Sequence, residues 1–301
     1  MLYDCIIIGG GPAGLNAALV LGRARKKVIL FDEDKPRNAV TNESHGFITR
    51  DGIKPSEFKQ LAVQDLKKYP PNISIHKERV KDMKKEGLSF QIQTDNGQSF
   101  YARKVILSTG LRDGMPNIEG IHHFYGKSVF TCPFCDGWEL RDRPLVVISE
   151  DERIFHYTKM IFNWSKDLVV CTNGKNHFTD EQRQLLAKNE IKVIEDGIKS
   201  LQGENGQLQR VIFQNGQEIE REGGGFVATR LEQASTLGQT IGCEINEMGG
   251  IQTDKVGRTN IEGVYACGDL SLQAPPQLIT AAAQGSIAAS TIVGDLVNED
   301  F

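Results

Sequence analysis

Residues 2–14 read LYDCIIIGGGPAG, and the fold of the chain turns on how that stretch is taken. Its first seven residues are β-rich with no solvated face, as expected of a strand buried in a parallel sheet. Gly9 to Gly14 then turn the chain. Residues 13–25 read as a helix whose Ala and Gly allow close approach to a sheet, and VILFD at 28–32 reads as a second buried strand. Together they make a βαβ unit. Gly9, Gly11 and Gly14 fit G-x-G-x-x-G between the strand and the helix, with Pro12 and Ala13 inside the motif. Missing Cβ atoms let a pyrophosphate reach the backbone there, and the helix N-terminus offers it unpaired N–H groups. Asp32, 23 positions after Gly9, ends the second strand where a carboxylate can bind ribose hydroxyls. A tight turn would account for the glycines, but not for strand, helix and acid together.

The 301 residues suit two domains better than one or three. With 39% hydrophobic and 25% charged residues the chain has material for real cores. A net charge of −4 and the lack of a Lys/Arg run argue against nucleic acid as a partner. Residues 5–22 carry no charge and approach the length of a membrane-spanning helix, but GGGP in their middle would break one. No secretory pattern precedes them, so a soluble, cytoplasmic chain with no membrane partner is expected.

Strands are expected around 73–80, 88–94 and 99–109, after a helix near 55–69. A second α/β pattern follows: LVVIS at 145–149, a helix near 151–165, DLVVCT at 167–172, a helix near 179–189 and IKVIE at 191–195. TNIEGVYACGD (259–269) is a further strand, and the small-residue helix TAAAQGSIAASTIVGDL comes after it. The fold class expected is α/β, with two Rossmann-like domains of the FAD/NAD(P) type, the second inserted into the first. Residues 1–114 and 248–301 form the outer, discontinuous domain, and residues 115–247 the insert. Crossings are expected near Met115–Pro116 and Gly249–Gly250.

Residues 132–136 read CPFCD. A Cys-x-x-Cys can close a small redox disulfide, and a nearby helix start or cation can lower one thiol's pKa. Zinc would need a second ligand pair, and Cys5, Cys171, Cys243 and Cys267 are solitary, so no metal site is expected. An inert structural pair is the other alternative. Asp136 is a candidate acid/base for a leaving thiolate, and a helix N-cap is its plainer reading. Phe134 and Trp138 face either a partner or the core.

GGGPAG, STG at 108–110, CPFC followed by Asp136, and ACGD before a Gln-led helix stand in the order of the low-molecular-weight thioredoxin reductase family, which the chain resembles over nearly its whole length. The resemblance implies bound FAD, an inserted pyridine-nucleotide domain and a homodimer. It places Thr109 and Gly110 close to the FAD, Gly268 and Asp269 at the ribityl chain, and Gln277 and Leu278 at the head of a helix aimed at the isoalloxazine. It also assigns Asn38, His45 and Val80 to the flavin site; a solvated loop histidine is the alternative for His45. Electrons would pass from reduced FAD to the Cys132–Cys135 disulfide, with Cys135 facing the flavin and Cys132 attacking the disulfide of a thioredoxin-like protein.

One part departs from the family. After LVVI come Ser149-Glu150-Asp151-Glu152-Arg153, with no glycine and three carboxylates where a dinucleotide's pyrophosphate would lie. Each like charge there is unfavourable by about 1 kcal/mol. CTNGKNHF, after the next strand, offers only Lys175 and His177 to a 2′-phosphate. NADPH as donor is therefore doubtful. A ferredoxin-dependent reductase and an oxygen-using oxidase of a small dithiol, whose Cys-Pro-x-Cys and Gly-aromatic-Glu run the DGWE segment resembles, remain alternatives. So does a flavin redox sensor without turnover.

Overall fold

Leu2–Ile8 is a strand, buried from Cys5 onward, near the middle of a seven-stranded sheet. The computed structural model describes residues 1–301. In the first unit (Met1–Ala39, Gly46–Arg112 and Leu231–Phe301) this strand pairs in parallel with Val28–Phe31 on one side and Ser99–Leu107 on the other. Ile73–His76 extends the parallel part beyond Val28–Phe31, while Val80–Glu86 and Ser89–Thr94 add antiparallel strands at the other edge. Val264–Ala266, from the far end of the chain, pairs in parallel with the last residues of Ser99–Leu107. Alternation along the first strand sends Cys5 and Ile7 into one core and Ile6 and Ile8 into another on the opposite face.

Two helices from opposite ends of the chain share the first of these cores. Pro12–Arg23 buries Ala13, Gly14, Ala17, Ala18 and Leu21; Leu278–Asp300 buries Ala281, Gly285, Ala288, Ala289, Ile292 and Leu296. Small side chains let their backbones approach closely: a Cβ on Gly285 would lie 2.0 Å from the Ala13 carbonyl oxygen. Asn16 Nδ2 donates across the seam to the Ala282 carbonyl at 2.8 Å.

The second unit, Val40–His45 with Asp113–Arg230, holds a five-stranded parallel sheet. Its order is Lys192–Ile194, Leu168–Cys171, Leu145–Ile148, Gly225–Val227 and Val129–Phe130. A three-stranded antiparallel sheet, Ile198–Glu204, Gln207–Phe213 and Glu218–Glu220, follows the last helix of the unit. That helix, Asp180–Lys188, opens on a capping box: Thr179 Oγ1 accepts from Gln182 N–H, and Gln182 Oε1 accepts from Thr179 N–H. No helix of the chain is long and apolar enough to cross a membrane.

The α/β class with parallel sheets is as expected, but three details differ. The first crossing, at Arg112–Asp113, falls close to the expected Met115–Pro116, but the return lies at Arg230–Leu231 and not near Gly249–Gly250. Residues after Leu231 belong to the first unit because Leu237, Cys243 and Ile251 are buried in one core with Ile6, Phe90 and Leu107. The expected strand 73–80 is two strands, and Val80 begins the second. A register shift between Val80 and Asp82 lets both Val80 and Met83 face the core, which hides the period of two. The third difference, the short excursion Val40–His45, bears on the site.

Replacing Gly285 with Val is expected to lower the unfolding free energy by about 1–3 kcal/mol by overpacking the helix seam. Urea denaturation of the holoprotein measures this.

Candidate functional site

The glycine turn of the first unit is fixed by contacts that exclude side chains. Gly9 has φ +109°, and a Cβ on it would lie 2.2 Å from the Ser108 carbonyl oxygen. A Cβ on Gly14 would lie 1.9 Å from the Gly9 carbonyl oxygen. Ser108 Oγ donates to the Gly9 carbonyl at 2.8 Å, which pins the turn to the neighbouring strand. Gly11 differs: nothing stands within 4 Å of its missing Cβ, so the turn opens into space there. Gly11 is also the N-cap of the helix from Pro12, with no side chain capping it and no acid in the first turn. The free N–H groups and open approach are what a pyrophosphate requires.

Of the other expected residues of this unit, Asp32 and Gly268 touch the same turn. Asp32 Oδ1 accepts from Gly10 N–H at 3.2 Å and its other oxygen pairs with Lys59, which also holds Asp34. Gly110, at φ +69°, likewise has nothing within 4 Å of its missing Cβ. Thr109 stands beside it, half-buried. Gly268 approaches Ala13 so closely that a Cβ would lie 2.8 Å from that of Ala13, and its N–H donates to Gln284 Oε1 at 2.8 Å. Asp269 opens the short 3-10 turn that follows. Gln277 is the N-cap of the helix from Leu278, again with no capping side chain and no first-turn acid. Asn38 lies in the 3-10 turn Arg37–Val40. Val80 is buried in the core with Met83. The turn and its neighbours fit FAD: Gly9–Gly14 would hold its pyrophosphate and Asp32 its ribose. Sequence reasoning missed Ser108 and Gln284; the STG and Gln-containing helix segments contain them, but neither side chain has a pattern of its own.

The cysteine pair belongs to the second unit. Just past the end of the strand Val129–Phe130, Cys132 is the N-cap of a single helical turn, Pro133–Asp136. Proline at the first position loses no bond there. Cys132 and Cys135 are joined by a disulfide with Cα atoms 5.2 Å apart. The carbonyl of Cys132 accepts from both Cys135 and Asp136 N–H at 3.1 Å. Asp136 therefore closes the turn and is not its N-cap. Gly137 makes room for Trp164, since a Cβ would lie 2.7 Å from that ring. Phe134 and Trp138 are exposed, at 62% and 65%, and Arg141 stacks on Trp138. The other four cysteines are buried and free.

Burial pushes the Asp136 carboxyl up to about 7; His45 opposes the rise and Glu139 adds to it. His45 is thus in the second unit, where it acts on this carboxyl. Its Nε2 lies 3.5 Å from Glu43 Oε2 and 3.8 Å from Glu139 Oε1. Tyr157, whose phenol burial and Asp136 hold well above its ordinary range, donates to the carbonyl of Thr131 at 2.8 Å.

The dinucleotide seat of the second unit does not fit NADPH. Beyond Leu145–Ile148, the fully buried Ser149 accepts from Asp151 N–H at 3.1 Å. The Asp151 carboxylate takes Arg153 N–H at 2.8 Å and both arms of its guanidinium at 2.7 and 2.9 Å. It already occupies the helix start that a pyrophosphate would use. Glu150 is held by Asn173 at 2.5 Å, and His177 meets its carbonyl at 2.8 Å. Arg183, on the following helix, is committed to Asn176 and Glu195.

Residues 3–153 and 166–285 match the pyridine nucleotide-disulphide oxidoreductase family. The crystal structure of "Putative Thioredoxin Reductase TrxB" from Bacillus anthracis is 44% identical, with 99% of this chain and 100% of that one covered and a TM-score of 0.95. A "Probable thioredoxin reductase" of Arthroderma benhamiae is 36% identical over 60% of the chain, which spans 46% of that relative's length. "Thioredoxin reductase sirT" of Leptosphaeria maculans is 29% identical over 97% of this chain and 93% of its own.

Two outcomes are expected. Titrating the holoprotein with NADPH, followed by calorimetry, gives no saturable binding up to ~1 mM, because the Asp151–Arg153 pair fills the phosphate seat. The second concerns Asp136, which ionises near 3.8 unfolded but only near 7 folded. Its contribution to stability is complete below the unfolded value and is lost as pH rises to the folded one. Asp136→Asn is therefore expected to gain about 2–4 kcal/mol in unfolding free energy at ~pH 8, a gain that vanishes near ~pH 4. Urea denaturation at both pH values checks it.

Proposed function

The chain belongs to the pyridine nucleotide-disulphide oxidoreductase family, and from that premise we propose that its Cys132–Cys135 pair passes two electrons to the disulfide of a thioredoxin-like protein. It is a thioredoxin reductase-like flavoenzyme. FAD, when bound, supplies the reservoir from which the pair is reduced. The observation that carries the reading is the juxtaposition, in one unit, of a two-residue-spaced disulfide and a carboxyl that burial keeps protonated to about neutral pH.

The chemistry of the reduced pair balances as follows. The Cys132 thiolate attacks one sulfur of the partner's disulfide; a Cys132–partner bond forms and the partner's own bond breaks. The leaving thiolate takes the proton of Asp136. Asp136, now ionised, accepts the proton of the Cys135 thiol, and the Cys135 thiolate attacks Cys132. The intramolecular disulfide is restored, the second partner thiolate leaves, and Asp136 is again protonated. The partner gains two electrons and the pair loses them. A general acid near its own pKa at working pH contributes about 10²–10⁴-fold to such transfers. The exposed rings of Phe134 and Trp138 flank the pair where a protein surface would rest. The reading takes with it the cytoplasmic homodimer that the family likeness implies.

Holoenzyme reduced with light by two electrons per flavin under anaerobic conditions, so that no donor need be known, tests this. Mixed with an oxidised thioredoxin-like protein, it is expected to yield two new thiols on that protein per flavin. Cys132→Ser and Cys135→Ser should each abolish the yield, and Asp136→Asn should slow it by about 10²-fold or more. Thiol formation that survives either cysteine change overturns the reading.

A further inference from the structure

Asp32 is held from both sides at the rim of the glycine turn. Its carboxyl carbon stands 2.6 Å from where a Cβ on Gly10 would lie, so the acid rests on bare backbone. Gly10 N–H donates to its Oδ1 at 3.2 Å, the long end of the usual range. Its Oδ2 takes the ammonium of Lys59, from the helix Pro55–Leu66. That ammonium also donates to Asp34 Oδ1 at 2.5 Å. Lys77, just past the strand Ile73–His76, meets the other oxygen of Asp34 at 2.8 Å. Cations and anions thus alternate in one chain of bonds that ends at the glycine turn.

We propose that Lys59 is a positioning residue for the cofactor: bridging Asp32 and Asp34, it fixes the Asp32 carboxylate so that both oxygens stay available to the two adjacent hydroxyls of the adenosine ribose of FAD. The proposal rests on FAD as the resident group and goes beyond the disulfide chemistry, which it does not need.

A carboxylate offers about four acceptor sites. Gly10 N–H takes one on Oδ1 and Lys59 one on Oδ2, which leaves capacity on each oxygen. The demand for Lys59 comes from the aspartate side chain itself. Rotation about its last bond is broad and two-fold, and the long bond from Gly10 alone does little to stop it. A charge-assisted bond to the second oxygen sets the plane of the group. The Lys59 and Asp32 side chains are 25% and 16% exposed, so salt and water screen this pair less than an ordinary surface pair. Burial works against the Lys59 charge, but the bonds to Asp32 and Asp34 outweigh it and hold the ammonium above its ordinary range. Hydrogen bonds from Lys59 and Lys77 bring Asp34 down to about 2, so the anchor of the bridge is charged at any working pH. Asp34 reaches both lysines from a left-handed backbone, φ +61°, which Asp tolerates better than most residues.

Docking the helix Pro55–Leu66 on the strand ends is the plainer use of such a bridge, and ligand choice separates the two. A loosened helix weakens every flavin alike, whereas a misplaced carboxylate loses only what it gives to the hydroxyls. Bound FAD is exchanged in the holoprotein against FAD carrying 2′-deoxyadenosine, and the ratio of the two affinities is read from the fraction displaced. Wild type is expected to prefer FAD by ~10–100-fold, as for a hydrogen bond to a charged group. Lys59→Met should reduce the preference to ~3-fold or less, and Lys59→Arg, which keeps the charge, should lie between the two. In an Asp32→Asn background, Lys59→Met should change the ratio by less than ~2-fold, because the residue it acts through is gone. These results support the proposal. A Lys59→Met protein that binds both flavins more weakly but keeps the wild-type ratio overturns it, as does an equal effect of Lys59→Met with and without Asp32. Wild type without preference between the two flavins also overturns it and leaves FAD in place. Wild type that takes up no FAD overturns it together with the flavin reading.

Discussion

Backbone contacts that only a hydrogen atom on Cα permits determine how the first unit is assembled. Gly14 rests on the Gly9 carbonyl, Gly9 on Ser108 and Gly285 on Ala13, each where a Cβ would lie within about 2.2 Å of an oxygen. These contacts bring the helix Pro12–Arg23 down onto the strand ends and lay the helix Leu278–Asp300 against it. Both ends of the chain are thereby committed to one layer. The helix start is left without a side-chain cap, and the approach to the turn is open at Gly11. A phosphate-binding seat is thus a by-product of close packing, not an addition to it.

The second unit shows the same layering with the seat put to another use. Its central strand, Leu145–Ile148, also leads into a helix, but the turn carries side chains, and those side chains bond to one another and to the turn's own N–H groups. Charge-assisted bonds such as those of Asp151 to Arg153 contribute about 1.5–3 kcal/mol each where geometry is good, and much less where water reaches them. A dinucleotide would have to displace them and then meet Glu150, Asp151 and Glu152. Of the two ancient-looking frames, one keeps its phosphate seat and the other spends its strand ends on a redox turn.

The sequence made the first frame legible because its contacts are local or nearly so: LYDCIIIGGGPAG encodes a strand, a turn and a helix start in thirteen residues. CPFCD was legible for the same reason, and so was the carboxylate-filled turn at 149–153. The placement of His45 was not. Nothing in RNAVTNESHGF distinguishes a loop that stays with its own unit from one that leaves it for six residues, since the deciding contact, Val40 on Gly126, spans more than eighty positions. The return crossing was misplaced for a related reason. Gly249–Gly250 looks like a hinge, whereas the true boundary follows from where Leu237 and Cys243 find a core. Val80 was hidden by a bulge, and Ser108 and Gln284 by being single polar residues whose partners are backbone atoms remote in sequence.

Asp136 shows what the cysteine turn costs the fold. A carboxyl moved from 3.8 to about 7 corresponds to about 4 kcal/mol in favour of its protonated form, set chiefly by removal from water. At neutral pH the unfolded chain would ionise that group freely, so its burial weakens the native state where the protein works. An apolar residue in the same place would avoid the penalty. Structural demand alone gives no reason for an acid here, because Asp136 closes its helical turn through its backbone N–H and leaves the capping position to Cys132. A residue held against stability next to a disulfide is accounted for by proton transfer to and from sulfur.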